Sequence, residues 1–270
     1  MTDIILAIVI LFAAGLICAV LLALASHYMG VEVDETVNRV RECLPGANCG
    51  ACGYTGCDGY AEALAKGGVK TNLCIPGGAG AASAIAAALG VAAEEAVAVC
   101  AFVHCNGTDE HTSKCAEVDG CSSCKAACLT FGGGESCIYS CLGCGDCADV
   151  CPADAICVKD GIARVDTRLC IGCGMCAKTC PKHIISMLPR TARAAVICSN
   201  HDTGAVANKT CKVGCIACRK CEKTCPHGAI TVVNNLAVID YEKCTGCREC
   251  VAVCPKKCIK SVDFEAHTIG

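Results

Sequence analysis

The chain has 270 residues, 54% of them hydrophobic but only 3% aromatic, with four Phe, five Tyr and no Trp, which excludes a large aromatic-rich core. Thirty-three cysteines make thiol chemistry the organising feature; their odd number and the chain's length argue against a secreted disulfide scaffold and leave iron–sulfur or zinc binding. The net charge of −3 is uneven, −8 over residues 1–140 and +5 over residues 141–270, and the basic half lacks the aromatic interleaving that base stacking needs, so its Lys and Arg read as offsets to buried negative charge rather than as a nucleic-acid surface.

From Ile4 to Ala25 the chain runs 22 residues without a charge, enough at about 1.5 Å per residue to span a hydrocarbon core of about 30 Å. A cleaved signal peptide is the alternative, with Ala23-Leu24-Ala25 as its site, but no Lys or Arg precedes the run and the run exceeds the usual h-region. An uncleaved transmembrane helix over 1–28 is expected. Arg39 and Arg41 follow it, which by the positive-inside tendency puts the bulk of the chain on the cytoplasmic side of the cell membrane. Cys18 lies inside the apolar run and is not read as a ligand.

Next comes Cys49-Gly50-Ala51-Cys52-Gly53-Tyr54-Thr55-Gly56-Cys57, with Cys74 further on. Three thiols in a glycine-threaded loop and a distant fourth suit a four-thiolate cage for a [4Fe-4S] cluster, and zinc would accept the same donors. Asp58 to Val69 reads as a short helix stopped by Gly67-Gly68, and Cys43 as a packing thiol. Residues 77–100, rich in Ala after Pro76-Gly77-Gly78, predict a helical linker.

The strongest signal is C-x2-C-x2-C-x3-C-P, present four times: Cys141, Cys144, Cys147, Cys151-Pro152; Cys170, Cys173, Cys176, Cys180-Pro181; Cys215, Cys218, Cys221, Cys225-Pro226; and Cys244, Cys247, Cys250, Cys254-Pro255. This is the bacterial ferredoxin pattern, in which three thiols of one run and the fourth of its partner hold each cluster. Run one should pair with run two and run three with run four, so that Cys180 joins Cys141, Cys144 and Cys147, and Cys151, Cys254 and Cys225 cross in the same way. Every cysteine of the first two runs recurs 74 residues later in the third and fourth, and Ala155–Asp166 and Ala229–Asp240 align as hairpins turning at Asp-Gly and Asn-Asn. Cys124 also recurs as Cys198, and Cys137 as Cys211, which predicts a sixth cluster from Cys124, Cys137, Cys198 and Cys211, with Cys105 as the rival ligand and buried packing thiols as the alternative. Cys100, Cys115, Cys121, Cys128, Cys157 and Cys258 fit no ligand pattern, and His104, His111, His183, His201 and His227 are read as structural.

The expected architecture is α+β: a transmembrane anchor (1–28), a small [4Fe-4S] domain (29–76), the Ala-rich linker (77–100), a Cys-rich connecting segment (101–140), ferredoxin-like module 1 (141–190), a second connecting segment (191–214) and module 2 (215–270). In this order the features resemble the B subunit of the Rnf complex, the membrane-bound ferredoxin:NAD oxidoreductase that pumps sodium ions or protons. The Cys49 to Cys74 piece alone is also similar to the cluster domain of corrinoid iron–sulfur proteins. The resemblance implies an iron–sulfur subunit with no substrate chemistry of its own, taking electrons from reduced ferredoxin and relaying them to other membrane subunits. It also implies that Cys137 can replace Cys144 in the first run. A polyferredoxin wire of another membrane or hydrogenase-type complex is the alternative. The resemblance leaves NAD reduction and ion movement to other subunits, a division in keeping with a sequence that shows no nucleotide-binding Gly-rich loop after a strand and no second hydrophobic span.

Overall fold

The computed structural model describes residues 2–28, 34–94, 97–116, 120–264 and 268–269. The expected boundary after residue 28, and Glu95 in the Ala-rich segment, lie outside the described residues. Helix α1 (Thr2–Tyr28) is 27 residues long, and described apolar side chains on it, including Ile4, Phe12, Leu16 and Leu22, are exposed. Counted over the described residues alone, no helix is long and apolar enough to cross a membrane.

Three helices build the N-terminal unit. In α2 (Glu35–Glu42) the Asp34 carboxylate accepts from the Thr36 amide at 2.9 Å, and Arg39 and Arg41 fall in the last turn, where positive charge suits the helix dipole. Helix α3 (Cys57–Lys66) stops at Gly67, whose φ of +83° a side chain would resist. Helix α4 (Gly78–Leu89) ends at Gly90 in the left-handed region. Val40, Leu44, Tyr60, Leu64 and Ile85 form the core between them. The Ala-rich stretch 77–100 carries a helix, and that helix packs: α4 buries Ala81, Ala82, Ile85 and Ala86, because a small-residue face lets it close on α2.

The first module runs from β1 (Val99–Val103) through α5 (Cys124–Leu129), α6 (Asp146–Asp149), β2 (Ile156–Lys159), β3 (Ile162–Val165) and α7 (Met175–Thr179) to β4 (Ile185–Pro189). The second comprises β5 (Ala194–Val196), α8 (Gly204–Thr210), α9 (Lys220–Thr224), β6 (Ile230–Val233), β7 (Leu236–Ile239), α10 (Glu249–Val253), β8 (Ile259–Asp263) and β9 (Thr268–Ile269). The hairpins β2–β3 and β6–β7 turn where expected. Both central residues have positive φ, +52° and +75° at Asp160-Gly161 and +48° and +64° at Asn234-Asn235, as a two-residue hairpin with right-handed strand twist requires.

Two strands lie in segments expected to be connectors. β1 pairs antiparallel with β4, Val103 opposite Ile185, and β5 pairs with β8, Val196 opposite Ile259. Each module thus begins upstream of the boundaries 141 and 215, because the apolar edge of its closing strand needs a partner that only the preceding segment supplies. Between the modules Cys100, Phe102, Leu188, Ala195, Ile197, Val262 and Phe264 form a shared core, with the Phe102 and Phe264 rings edge to face at 6.3 Å. His104 bridges the same seam, its Nδ1 2.6 Å from the Val196 carbonyl and Nε2 2.5 Å from Ser186 Oγ.

Candidate metal centres

The N-terminal thiols are brought together by a loop and two caps. The Asn48 side-chain oxygen accepts from the Cys57 amide at 2.9 Å and fixes the loop against the start of α3. The Tyr60 hydroxyl donates to the Lys70 carbonyl at 2.6 Å and accepts from the Leu73 amide, which holds the returning strand that carries Cys74. Burial and the neighbouring Cys57, Cys49 and Cys52 sulfurs raise the Cys74 pKa. Gly77 is obligatory here, since a Cβ would meet Ala81 Cβ at 2.4 Å and Cys74 Sγ at 3.2 Å. Cys43 stands apart with its thiol donating to the Arg39 carbonyl, as a packing thiol would.

In module 2 the crossed pairing is laid out in two cavities. One is lined by Cys215, Cys218, Cys221 and Cys254, the other by Cys225, Cys244, Cys247 and Cys250. In module 1, Cys151 lies with Cys170, Cys173 and Cys176, and Cys180 with Cys141 and Cys147. Short helices seat the third thiol of each run (Cys147, Cys176, Cys221, Cys250), and hairpins supply amides to the fourth: Ala155 N–H to Cys151 and Ala229 N–H to Cys225, both at 3.3 Å. Burial pushes Cys147 up to about 12 and Cys176, Cys221 and Cys250 up to about 11, so these thiols keep their protons until a cation takes their place.

The remaining thiols separate in a way the 74-residue offset did not foretell. Cys105, Cys137, Cys198 and Cys211 line one cavity at the seam, and Cys124 is not among them. Cys124 lies instead with Cys141, Cys147 and Cys180, so its expected place with Cys137, Cys198 and Cys211 is corrected. Strand register explains the exchange. Ile185 and Ile259 are 74 residues apart, and their partners Val103 and Val196 place Cys105, not Cys124, at the position equivalent to Cys198. The hydrogen bonds repeat the equivalence: Cys105 Sγ accepts from the Gly107 and Cys141 amides at 3.4 Å each, and Cys198 Sγ from the Asn200 and Cys215 amides at 3.5 and 3.3 Å. The buried Asn200 donates from Nδ2 to Cys137 Sγ at 3.3 Å. Burial raises Cys105 to about 12 and Cys198 to about 11. Cys137, which the resemblance offered as a substitute for Cys144, faces the seam.

Two thiols without a pattern acquire one here. The Cys258 and Cys254 sulfurs are hydrogen-bonded at 3.5 Å, Cys258 also lies beside Cys215, and these contacts lower Cys215 to about 6 and Cys254 to about 5. Cys100, whose thiol donates to the Ala101 carbonyl at 3.6 Å, lies beside Cys170, and that contact lowers Cys170 to about 6, while the Ala101 amide donates to the same sulfur at 3.5 Å. Cys258 lies four residues after the fourth run, whereas Cys100 lies far from any run in the sequence.

These sites fit iron–sulfur clusters. Among the described residues no group of three or more His, Cys, Asp or Glu converges tightly enough for a single metal ion. The thiols instead ring small cavities, face backbone N–H donors, and are closed by glycines at positive φ. Cβ atoms at Gly143 and Gly172 would fall 2.7 and 2.6 Å from the carbonyl oxygens of Gly161 and Val99. All-sulfur donors, a fitted cradle and N–H···S bonds define a multi-cluster iron–sulfur protein of the two-cluster ferredoxin class.

Residues 44–76 match an Fe-S cluster family, and residues 140–184 and 214–258 each match a 4Fe-4S dicluster domain family; a second family of that description matches residues 169–229. The chain is 44% identical, over 93% of its length and 75% of the relative's, to the B subunit of the Na(+)-translocating ferredoxin:NAD(+) oxidoreductase complex of Acetobacterium woodii. It is 42% identical to the proton-translocating counterpart of Clostridium ljungdahlii, over 90% of this chain and 87% of that one, and 38% identical to the B subunit of the ion-translocating oxidoreductase complex of Methanosarcina acetivorans, over 94% and 96%. The chain belongs to this family, the B subunits of the Rnf complexes.

Proposed function

We propose that the chain is a wire of six [4Fe-4S] clusters that takes electrons from reduced ferredoxin and delivers them to membrane subunits that reduce NAD and move Na+ or H+. Each cluster supplies reversible one-electron transfer and requires no acid–base residue from the protein. In this reading Cys49, Cys52, Cys57 and Cys74 hold the N-terminal cluster, the two modules hold four, and Cys105, Cys137, Cys198 and Cys211 hold one between the modules. α1 anchors the chain as a single span with its bulk on the cytoplasmic face, supported by its 22 uncharged residues and by Arg39 and Arg41 beyond them.

The observation that carries the proposal is the unbroken order of the thiol sets. Cys49 lies close to Cys173, and Ile75 and Val99 pack against the Gly172 loop, so the N-terminal set adjoins the second run. At the seam, the Cys141 and Cys215 amides each donate to a sulfur of the bridging set while their own thiols belong to the flanking modules. At the far end Cys218 and Cys247 are exposed. Arg219, Lys220 and Lys256 line the Cys218 cavity, and exposed Lys223 and Lys257 flank it, a basic rim suited to an acidic ferredoxin.

Rapid mixing of the cluster-loaded chain with reduced ferredoxin tests this. The wild type should bleach fully, and faster at 0.1 M than at 1 M salt, where the Debye length falls from about 10 to about 3 Å. Cys211→Ser should bleach only the part belonging to module 2. Full bleaching of that variant at the wild-type rate would remove the bridge from the path.

A further inference from the structure

Five thiols surround the site built on the first run, where a cluster needs four. The two module-2 cavities are each lined by all three thiols of a run together with the crossed fourth. The first-run cavity is lined by Cys141, Cys147 and Cys180, but its fourth sulfur comes from Cys124, while Cys144 does not line it. Cys144 Sγ lies 3.6 Å from the Leu142 carbonyl and within hydrogen-bonding reach of Cys124. Cys124 is buried, and Cys144 is partly exposed.

The placement of Cys124 is built rather than incidental. It is the first residue of α5, and one carboxylate ties that helix to the run: Asp146 accepts from the Cys124 amide at 2.8 Å, the Lys125 amide at 3.1 Å and the Ser123 hydroxyl at 3.0 Å. Asp146 is also the first residue of α6, which carries Cys147, so the two sulfurs are held in register through a single side chain. In module 2 the helix between Cys198 and Cys211 starts at Gly204, where a Cβ would stand 2.4 Å from the Ile216 carbonyl oxygen. No side chain fits there, and Cys218 lines the cavity instead.

We propose that Cys124, not Cys144, is the fourth ligand of the first-run cluster, and that Cys144 is retained as a free thiol beside the Cys124 sulfur. The inference rests on the cluster-binding reading above. As the Fe–S bond forms at Cys124 its thiol proton passes to solvent, whereas Cys144 keeps its own, which points to the Leu142 carbonyl.

The test uses the anaerobically purified, cluster-loaded full chain. Brief treatment with iodoacetamide followed by peptide mass mapping should find Cys144 alkylated and Cys124, Cys141, Cys147 and Cys180 protected, with iron content and the EPR spectrum of the dithionite-reduced protein unchanged. Cys144→Ser should keep its full iron, and Cys124→Ser should lose about four iron per chain. Protection of Cys144, or loss of about four iron from Cys144→Ser, would overturn the assignment. The labelling result decides the matter if Cys124→Ser fails to accumulate. A wild-type chain without iron and sulfide would defeat the cluster reading itself, which the labelling pattern does not.

Discussion

The two ferredoxin-type modules carry the same eight run cysteines 74 residues apart, but their sulfurs meet different neighbours. At the position where module 1 has the buried Ile184, module 2 has Cys258, whose thiol is hydrogen-bonded with Cys254 and lies beside Cys215. In module 1 the extra thiol is Cys100 on β1, which lies against Cys170. Gly143, in the tight loop of the first run, corresponds to Ala217 in the third, which adopts φ of +53° with its side chain in place. Duplication copied the ligands, and divergence of the residues one layer out gives each site its own electrostatics.

The largest disturbance of this pairing should come from the seam itself. Phe264 is fully buried against Phe102, and Phe264→Ala should cost about 3–5 kcal/mol. Chemical denaturation of the loaded protein should then show two transitions in place of one, with the bridging iron lost in the first. A single transition at the wild-type midpoint would mean that the modules are held together elsewhere.

A smaller effect distinguishes the two tight loops. Gly143→Ala places a Cβ at φ of +70° and 2.7 Å from the Gly161 carbonyl oxygen, and should destabilise module 1 by about 2–4 kcal/mol. The converse change, Ala217→Gly, should shift module 2 by well under about 1 kcal/mol. Thermal unfolding of both variants checks the asymmetry, and equal shifts would contradict it.

The smallest effect is electronic. Hydrogen bonds to sulfur raise a cluster's potential, so Cys258→Ala should lower one module-2 potential by about 40 mV for each ~1 kcal/mol of bonding lost, and Ile184→Cys should raise its module-1 counterpart. Redox titration followed by EPR reads both. An unchanged potential in Cys258→Ala would reduce that thiol to a space filler.

The runs, the hairpins and the N-terminal loop were legible in the sequence because each is local: ligand spacing, turn chemistry and glycine positions all lie within a few residues. The strands β1 and β5 were not, since three to five apolar residues acquire a strand's meaning only beside β4 and β8, far along the chain. The same long-range pairing decides the bridging set. A fixed offset of 74 picks Cys124 as the mate of Cys198, but module 1 carries a longer stretch between its first strand and first run, so the offset fails upstream of Cys137. The likeness of Val103-His104-Cys105-Asn106 to Val196-Ile197-Cys198-Ser199-Asn200 was a signal that would have found the right mate. Cys100 and Cys258 left no comparable trace, because a thiol that lies beside a ligand needs no spacing motif.

The bridging set also constrains how the protein is made. Its four cysteines come from four separate segments, two ahead of the first run and two ahead of the third. A chain emerging from the ribosome completes module 1 once β4 has followed Cys180, yet in the proposed arrangement Cys105 and Cys137 must wait for Cys211 and for the docking of β5 against β8. Closing so long a loop is slow, and through that interval two thiols stand ready for oxidation or for capture by the wrong metal. In the proposed six-cluster wire, assembly therefore has a late step that waits for Cys211 and β8, and oxygen exposure during synthesis should injure the seam before it injures either module.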